Sequence, residues 1–296
     1  MVLESPLNIA VIGAGIGGLA AGLCFAKKGF EVTIFEKSNL KGELGAGIQL
    51  SPNSLRVLFS LGMERPLRSY SSYSEFIAIR DWKDGALIKK NPLNPDSEQT
   101  YGYPYLHIHR GDLMKVMLDT IKADKRISLR TMSGVAAVNE MVSKCAVKLD
   151  SGSEESFDLV IGADGRNSII RELAGINFSK KIYKENILVT EIKHSAKNNN
   201  TSFEIHRNGS LLTSVPTGDK TSAIVMIDHS QIIDDITTDN LDAIIHKSLS
   251  VYLGDTTVSN EYSIFPSETI NAEKLYRNRV MPVSYTHLTL PTNREV

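Results

Sequence analysis

The chain has 296 residues, 42% hydrophobic and 23% charged, with a formal net charge of -1. That composition fits a folded globular protein of one large or two moderate domains, and the near-neutral balance excludes the electrostatic footprint of a nucleic-acid-binding protein. Two cysteines, Cys24 and Cys145, sit in no CxxC or metal-ligand spacing, which excludes a disulfide scaffold and sets a reducing, cytoplasmic expectation.

Asn8 to Ile12 is a short apolar run suited to a strand buried on both faces. Gly13, Gly15 and Gly18 follow at GxGxxG spacing. In such a turn the first glycine allows the sharp bend, the second lets a pyrophosphate approach the backbone, and the third lets helix and strand pack closely. The predicted helix, from about Ile16 to Lys28, aims its free N–H groups at the phosphates. Gly29 ends it, Glu31 to Phe35 is the second strand, and Glu36 closes that strand where an acid can accept both ribose hydroxyls. Glycines also mark ordinary turns, but the strand, helix and acid together point to a dinucleotide. The acid disfavours a 2′-phosphate, leaving NAD or FAD. Leu7 to Ala26 is long and apolar enough to span a bilayer, yet no Lys or Arg precedes it and the glycine spacing explains it as a nucleotide-binding unit.

Lys41 to Gln49 reads as a glycine-rich loop, with Gly45 to Ile48 small because something flat or bulky lies against the backbone. Ser51 and Pro52 are expected to start a helix as N-cap and first residue, with Leu55, Leu58 and Phe59 buried and Gly62 as the stop. Ser74 to Trp82 reads as a strand and Asn91 to Pro104 as a loop. Tyr105 to His109 leads into Arg110, ahead of a helix over Asp112 to Lys122. Arg110 at a helix start is placed to grip phosphate, although a surface arginine pairing locally has the same position. His107 and His109 read as strand histidines, since no third metal ligand accompanies them.

Ile127 to Arg130, Gly134 to Asn139 and Lys144 to Leu149 read as short strands. Phe157 to Ile161 reads as a buried strand running into Gly162-Ala163-Asp164-Gly165, then a helix from about Asn167 to Ala174. Asp164 at a strand's carboxyl end points into the crevice where ligands bind open α/β sheets, with N-capping as the competing role. Arg171 reads as a solvated helix residue. From about Ile182 to Pro266 the composition shifts. Leu188 to Ile192, Ser202 to His206, Leu211 to Val215 and Ser222 to Ile227 alternate as strands of a mostly antiparallel sheet. Asp239 to Tyr252 has a helical apolar stripe through Leu241, Ile244, Ile245, Leu249 and Tyr252.

GxGxxG with Glu36, Arg110 before a helix and the Asp164-Gly165 junction, in this order, resemble the class A flavoprotein aromatic hydroxylases, the family of p-hydroxybenzoate and salicylate hydroxylases. GAGIQLSPNSLRVLFSLG (45–62) and YLHIHRGDL (105–113) resemble the salicylate hydroxylase branch. The resemblance covers Leu7 to about Met281. It implies an α/β fold, with a Rossmann-like FAD-binding domain (1–73 and 101–178) and a mostly antiparallel β-sheet substrate domain (74–100 and 179–275), before a returning segment at 276–281. The implied cofactor is FAD, with NADH or NADPH as co-substrate. Its cofactor-binding residues would be Gly13, Gly15, Gly18, Glu36, Lys37, Gly47, Arg110 and Asp164, with no catalytic side chain named. The implied reaction is hydroxylation of a small aromatic substrate, in which NAD(P)H reduces the flavin and O2 supplies the inserted oxygen. No nucleic acid or transmembrane segment enters it. One GxGxxG argues against the two-dinucleotide reductases. Gly209 to Ile227 and Ile264-Phe265-Pro266 resemble the ubiquinone-biosynthesis hydroxylases instead, which act on a prenylated phenol. A flavin oxidoreductase without oxygen insertion and a non-catalytic nucleotide-binding protein are further alternatives.

In the family a Gly-Asp motif follows a stretch like Tyr276 to Met281. Here Pro282 to Thr292 can be encoded by the transposase adapter of sequencing libraries, and the remaining residues by an index and the adapter that follows. The tail over 282–296 is therefore expected to be adapter-derived, leaving a truncated chain that binds FAD poorly and exposes apolar surface.

Overall fold

A computed structural model describes residues 6–40, 47–207 and 209–283. Gly45, Ala46 and residues 284–296, on which the loop and most of the tail expectations fall, lie outside the described residues. The elements run β1 (Asn8–Ile12), α1 (Ile16–Lys27), β2 (Glu31–Phe35), β3 (Gly47–Leu50), α2 (Pro52–Ser60), α3 (Glu64–Tyr70), β4 (Ser71–Tyr73), β5 (Phe76–Asp81) and β6 (Leu87–Pro92). They continue with α4 (Asp96–Tyr101), β7 (Leu106–His109), α5 (Arg110–Ala123), β8 (Ile127–Arg130), β9 (Val135–Glu140), β10 (Cys145–Leu149), β11 (Glu154–Phe157), β12 (Leu159–Gly162) and α6 (Ile169–Leu173). The rest is β13 (Phe178–His194), β14 (Thr201–Arg207), β15 (Ser210–Gly218), β16 (Thr221–His229), α7 (Ser230–Asp234), α8 (Thr238–Leu253), β17 (Thr256–Ala272) and β18 (Val280–Pro282).

The chain divides into two compact units. The first comprises residues 1–42, 117–181 and 268–296. Its centre is a five-stranded sheet in the order β18-β12-β1-β2-β8, parallel at every pairing. Strands buried on both faces explain the unbroken apolar run of β1. Ala10 and Ile12 join Phe35, Val160 and Ile170 in one core cluster with the antiparallel β9-β10-β11 sheet, through Val138, Cys145 and Val147. Ile9 and Val11 alternate to the opposite face and are equally buried. Gly22 of α1 lies so close to β2 that a Cβ there would stand 2.7 Å from Ile34 Cδ1. The single strand expected over Phe157 to Ile161 is two, parted at Asp158. Asp158 donates its N–H to Asn8 O and accepts the Asn8 N–H on Oδ2, both at 2.8 Å, and so pins the start of β1.

The second unit comprises residues 43–116 and 182–267. A seven-stranded sheet runs β17-β13-β16-β15-β14-β5-β6, with β13 to β14 antiparallel along the order and the β14–β5 pairing parallel. The α8 stripe Leu241, Ile245, Leu249 and Leu253 packs on Leu188, Ile205, Ile224 and Met226 of this sheet. Thr237 and Asn240 form a capping box that starts α8. The antiparallel trio β3-β7-β4 is a separate sheet. The segment expected as loop over Asn91 to Pro104 contains the end of β6 and the short helix α4. Asn94 and Pro95 fall at the helix entry, and Gly102 at φ +74° closes α4.

Candidate functional site

Three segments far apart in sequence converge at the carboxyl ends of β1, β2 and β12 in the first unit. Gly13 has φ +101°, and a Cβ there would come within 2.3 Å of Ala163 O. A Cβ on Gly18 would come within 1.9 Å of Gly13 O. Backbone geometry and packing therefore require glycine at both positions. Gly15 differs. Its φ is -67°, open to any residue, and a Cβ there would meet nothing within 4 Å. Neither conformation nor the protein's own packing explains its missing side chain, whereas a ligand brought against the backbone does. Gly15 is also the N-cap of α1, with no side-chain cap and no acid in the first turn, so that helix end is left to receive an anion. These features fit a dinucleotide pyrophosphate.

Glu36 follows β2. Its Oε2 accepts the Ala14 N–H and its Oε1 the Ser38 N–H, each at 2.8 Å. The carboxylate thus ties the glycine turn to the strand end where a ribose is expected. Lys37 beside it is exposed.

Asp164 follows β12, with its Cα 3.1 Å from a Cβ built on Gly13. Its Oδ2 accepts the Ile170 N–H at 3.1 Å, while Oδ1 is buried without a partner. A buried carboxylate oxygen with no donor is costly in a folded protein, and a ligand hydroxyl would satisfy it. The side-chain cap of α6 is Ser168, whose Oγ accepts the Arg171 N–H at 3.1 Å. Arg171 corrects the expectation of a solvated residue: it is 2% exposed. Its guanidinium lies 4.2 Å from the Phe178 ring centroid and donates from Nη2 to Arg166 O at 3.3 Å, spanning the loop that carries Asp164. Glu268, with its side chain 3% exposed, pairs with Arg166 at 3.3 Å and Lys180 at 2.8 Å. Nothing local in the sequence marks Arg171 as buried, because its ring partner arrives after the helix has ended.

The other expected site residues lie in the second unit. A Cβ on Gly47 would stand 2.8 Å from Ala223 Cβ and 3.2 Å from Val215 Cβ, so the surface against this glycine is the sheet formed by β15 and β16. Arg110 is the first residue of α5. His109 Nδ1 accepts the Gly111 N–H at 3.1 Å. His107 is fully buried, and burial holds its imidazole down at about 3, neutral at physiological pH. A polar set that the sequence did not reveal joins Tyr105, Gln49, Ser202 and His107. Gln49 and Ser202 are too far along the chain from Tyr105 and His107 for any motif to group the four.

Among the described residues, no group of three or more His, Cys, Asp and Glu is placed to hold a metal ion. Nor is any described helix long and apolar enough to cross a membrane.

A family model described as an FAD binding domain matches residues 7–283. The chain is 37% identical over 170 residues to 6-hydroxynicotinate 3-monooxygenase of Bordetella bronchiseptica, covering 57% of this chain and 44% of that protein. It is 32% identical over 168 residues to 3-hydroxybenzoate 6-hydroxylase of Polaromonas naphthalenivorans, covering 57% and 42% respectively. It therefore spans less than half the length of these relatives. The fold is similar to that of p-nitrophenol 4-monooxygenase PnpA of Pseudomonas putida, with a TM-score of 0.79 at 17% identity, covering 95% of this chain and 72% of that one. With the ordered motifs and this match over nearly its whole length, the chain belongs to the FAD binding domain family, that of the class A FAD-dependent aromatic hydroxylases.

Proposed function

We propose that the complete protein is an FAD-dependent monooxygenase that hydroxylates a phenolic or other aromatic acid, using NAD(P)H and O2. The observation that carries this reading furthest is the open space at Gly15, set where β1, Glu36 and Asp164 converge. Bound FAD would supply the redox chemistry and the activation of oxygen. The protein's share is to bind, orient and keep water out.

The turn Gly13–Gly18 and the start of α1 would take the pyrophosphate on backbone N–H groups. Glu36 would accept ribose hydroxyls, with Lys37 beside it. Asp164 would offer its unpartnered Oδ1 to a cofactor hydroxyl. Arg110 would contact the phosphate–ribose region, and Gly47 would border the flavin ring. The seven-stranded sheet would provide a substrate wall. The relatives' names identify hydroxylated aromatic acids as their substrates, and a small ring acid is the substrate class inferred here. Two free thiols, Cys24 and Cys145, favour a cytoplasmic setting.

The test is aerobic NAD(P)H oxidation by the flavin-loaded complete protein in the presence of hydroxybenzoates. The expected result is oxidation stimulated by the aromatic acid, with a product one oxygen heavier. Stimulated oxidation that yields no hydroxylated ring would make the protein an oxidase or reductase instead.

A further inference from the structure

In the second unit a cavity of about 60 Å³ opens between the end of the seven-stranded sheet and α8. Its apolar walls are Ile205 of β14, Leu212 of β15, Met226 of β16 and Ile244 of α8. Ile224, Met226 and Asp228 alternate onto this face of β16, and Ala223 onto the other. Gly47 approaches from that other face, where a Cβ on it would stand 2.8 Å from Ala223 Cβ. The sheet therefore separates the cavity from the surface proposed for the flavin ring.

Three polar residues cross this end of the sheet in one row. Arg207 of β14 pairs with Ser210 of β15, and the register that sets Leu211 opposite Ile227 sets Ser210 opposite Asp228 of β16. All three line the cavity. Asp228 is 3% exposed. Its Oδ1 accepts the His229 N–H at 2.8 Å, and among the described residues no cation pairs with it. A buried carboxylate without a cation is costly in a folded protein, and a ligand ammonium would offset that cost. Arg207 stands two strand spacings away, roughly 10 Å, and its side chain is long enough to close on Asp228. It lies instead over the Trp82 ring, 4.5 Å from the centroid. Stacking occupies the face of a guanidinium and leaves its edge N–H groups for a carboxylate. The indole thus keeps cation and anion apart at an apolar cavity.

We propose that this cavity binds a small aliphatic α-amino acid, with its ammonium on Asp228, its carboxylate on Arg207 and its side chain against Leu212, Met226 and Ile244. Opposite charges at the two ends of the row select a zwitterion over a simple amine or a simple acid. The size selects an aliphatic side chain, since a benzene ring occupies a cavity of about 150 Å³. The site is independent of the flavin and of its aromatic substrate.

The test titrates the flavin-loaded complete protein with L-valine by calorimetry. In parallel it follows the emission of Trp82, the one tryptophan of these 296 residues, as the difference between wild type and Trp82→Phe. L-Valine is expected to bind and to change that emission. Valinamide, which lacks the carboxylate, and 3-methylbutanoate, which lacks the ammonium, should each bind at least about tenfold more weakly, the worth of one charged hydrogen bond. Asp228→Asn keeps an acceptor for the His229 N–H, and Arg207→Gln changes an exposed side chain, so both should fold and keep wild-type flavin content. Each should weaken L-valine binding about tenfold or more. Neither heat nor an emission change with millimolar L-valine overturns the proposal. So does unchanged L-valine binding in either variant, or valinamide or 3-methylbutanoate binding as tightly as L-valine. None of these outcomes bears on flavin content or ring hydroxylation, so the functional reading stands or falls separately.

Discussion

Gly15 and Gly18 belong to one turn, yet a methyl group has opposite consequences at the two positions. At Gly18 it would be driven to 1.9 Å from Gly13 O, a backbone atom that cannot move aside. Gly18→Ala is expected to destabilise the fold by about 1–3 kcal/mol, as overpacking does, with the loss read in chemical denaturation. At Gly15 the methyl meets open space, so Gly15→Ala should keep wild-type stability and lose at least about tenfold in FAD affinity, on the order of 1.4 kcal/mol. Equal FAD affinity in Gly15→Ala and wild type would remove the reason for glycine there. His107 gives a pH prediction. Its folded pKa, lowered from 6.5 to about 3, means that the unfolded chain binds the proton first as pH falls. Its contribution to stability is complete above about 6.5 and declines from there down to about 3. Between pH 7 and pH 5 that loss is about 2 kcal/mol from this one group. His107→Gln should flatten this part of the urea-denaturation pH profile, and an unchanged slope would mean that another group carries it.

Among the elements, α8 is the clearest case of a helix held by its stripe rather than by propensity. Leu249 is 0% exposed among sheet side chains, so Leu249→Ala is expected to cost about 2–5 kcal/mol, measured by urea denaturation. A cost under about 1 kcal/mol would mean that α8 is not packed on the sheet as described. That helix was legible from its 3.6-residue period, and β1, β2 and β8 were legible to the residue from apolar runs bounded by turn signals. Elements fixed by distant partners were harder to read. Asp158 parts the stretch Phe157–Ile161 into two strands by bonding to Asn8. Within a loop rich in Pro and Asn, six residues at Asp96–Tyr101 still close a helix. Arg171 has the pattern of an exposed helix residue, but Phe178 comes to lie beside it.

At the scale of the molecule, the site motifs were legible because each is local: a glycine spacing, an acid at a strand end, an Asp-Gly turn. What draws Gly13, Glu36 and Asp164 together is the order β12-β1-β2 of the parallel sheet, which places three carboxyl ends side by side. The Tyr105–Gln49–Ser202–His107 set was not legible, since the contacts that make it span 56 to 153 positions of sequence. FAD binding by this protein depends on the glycine turn of the first unit cradling a flavin dinucleotide. The most direct test is the flavin content of the complete protein, purified and then offered free FAD. The expected result is a yellow protein that holds about one FAD per chain, and a Gly15→Ala variant that binds FAD more weakly with its fold intact. A folded, colourless wild-type protein that takes up no FAD would contradict it.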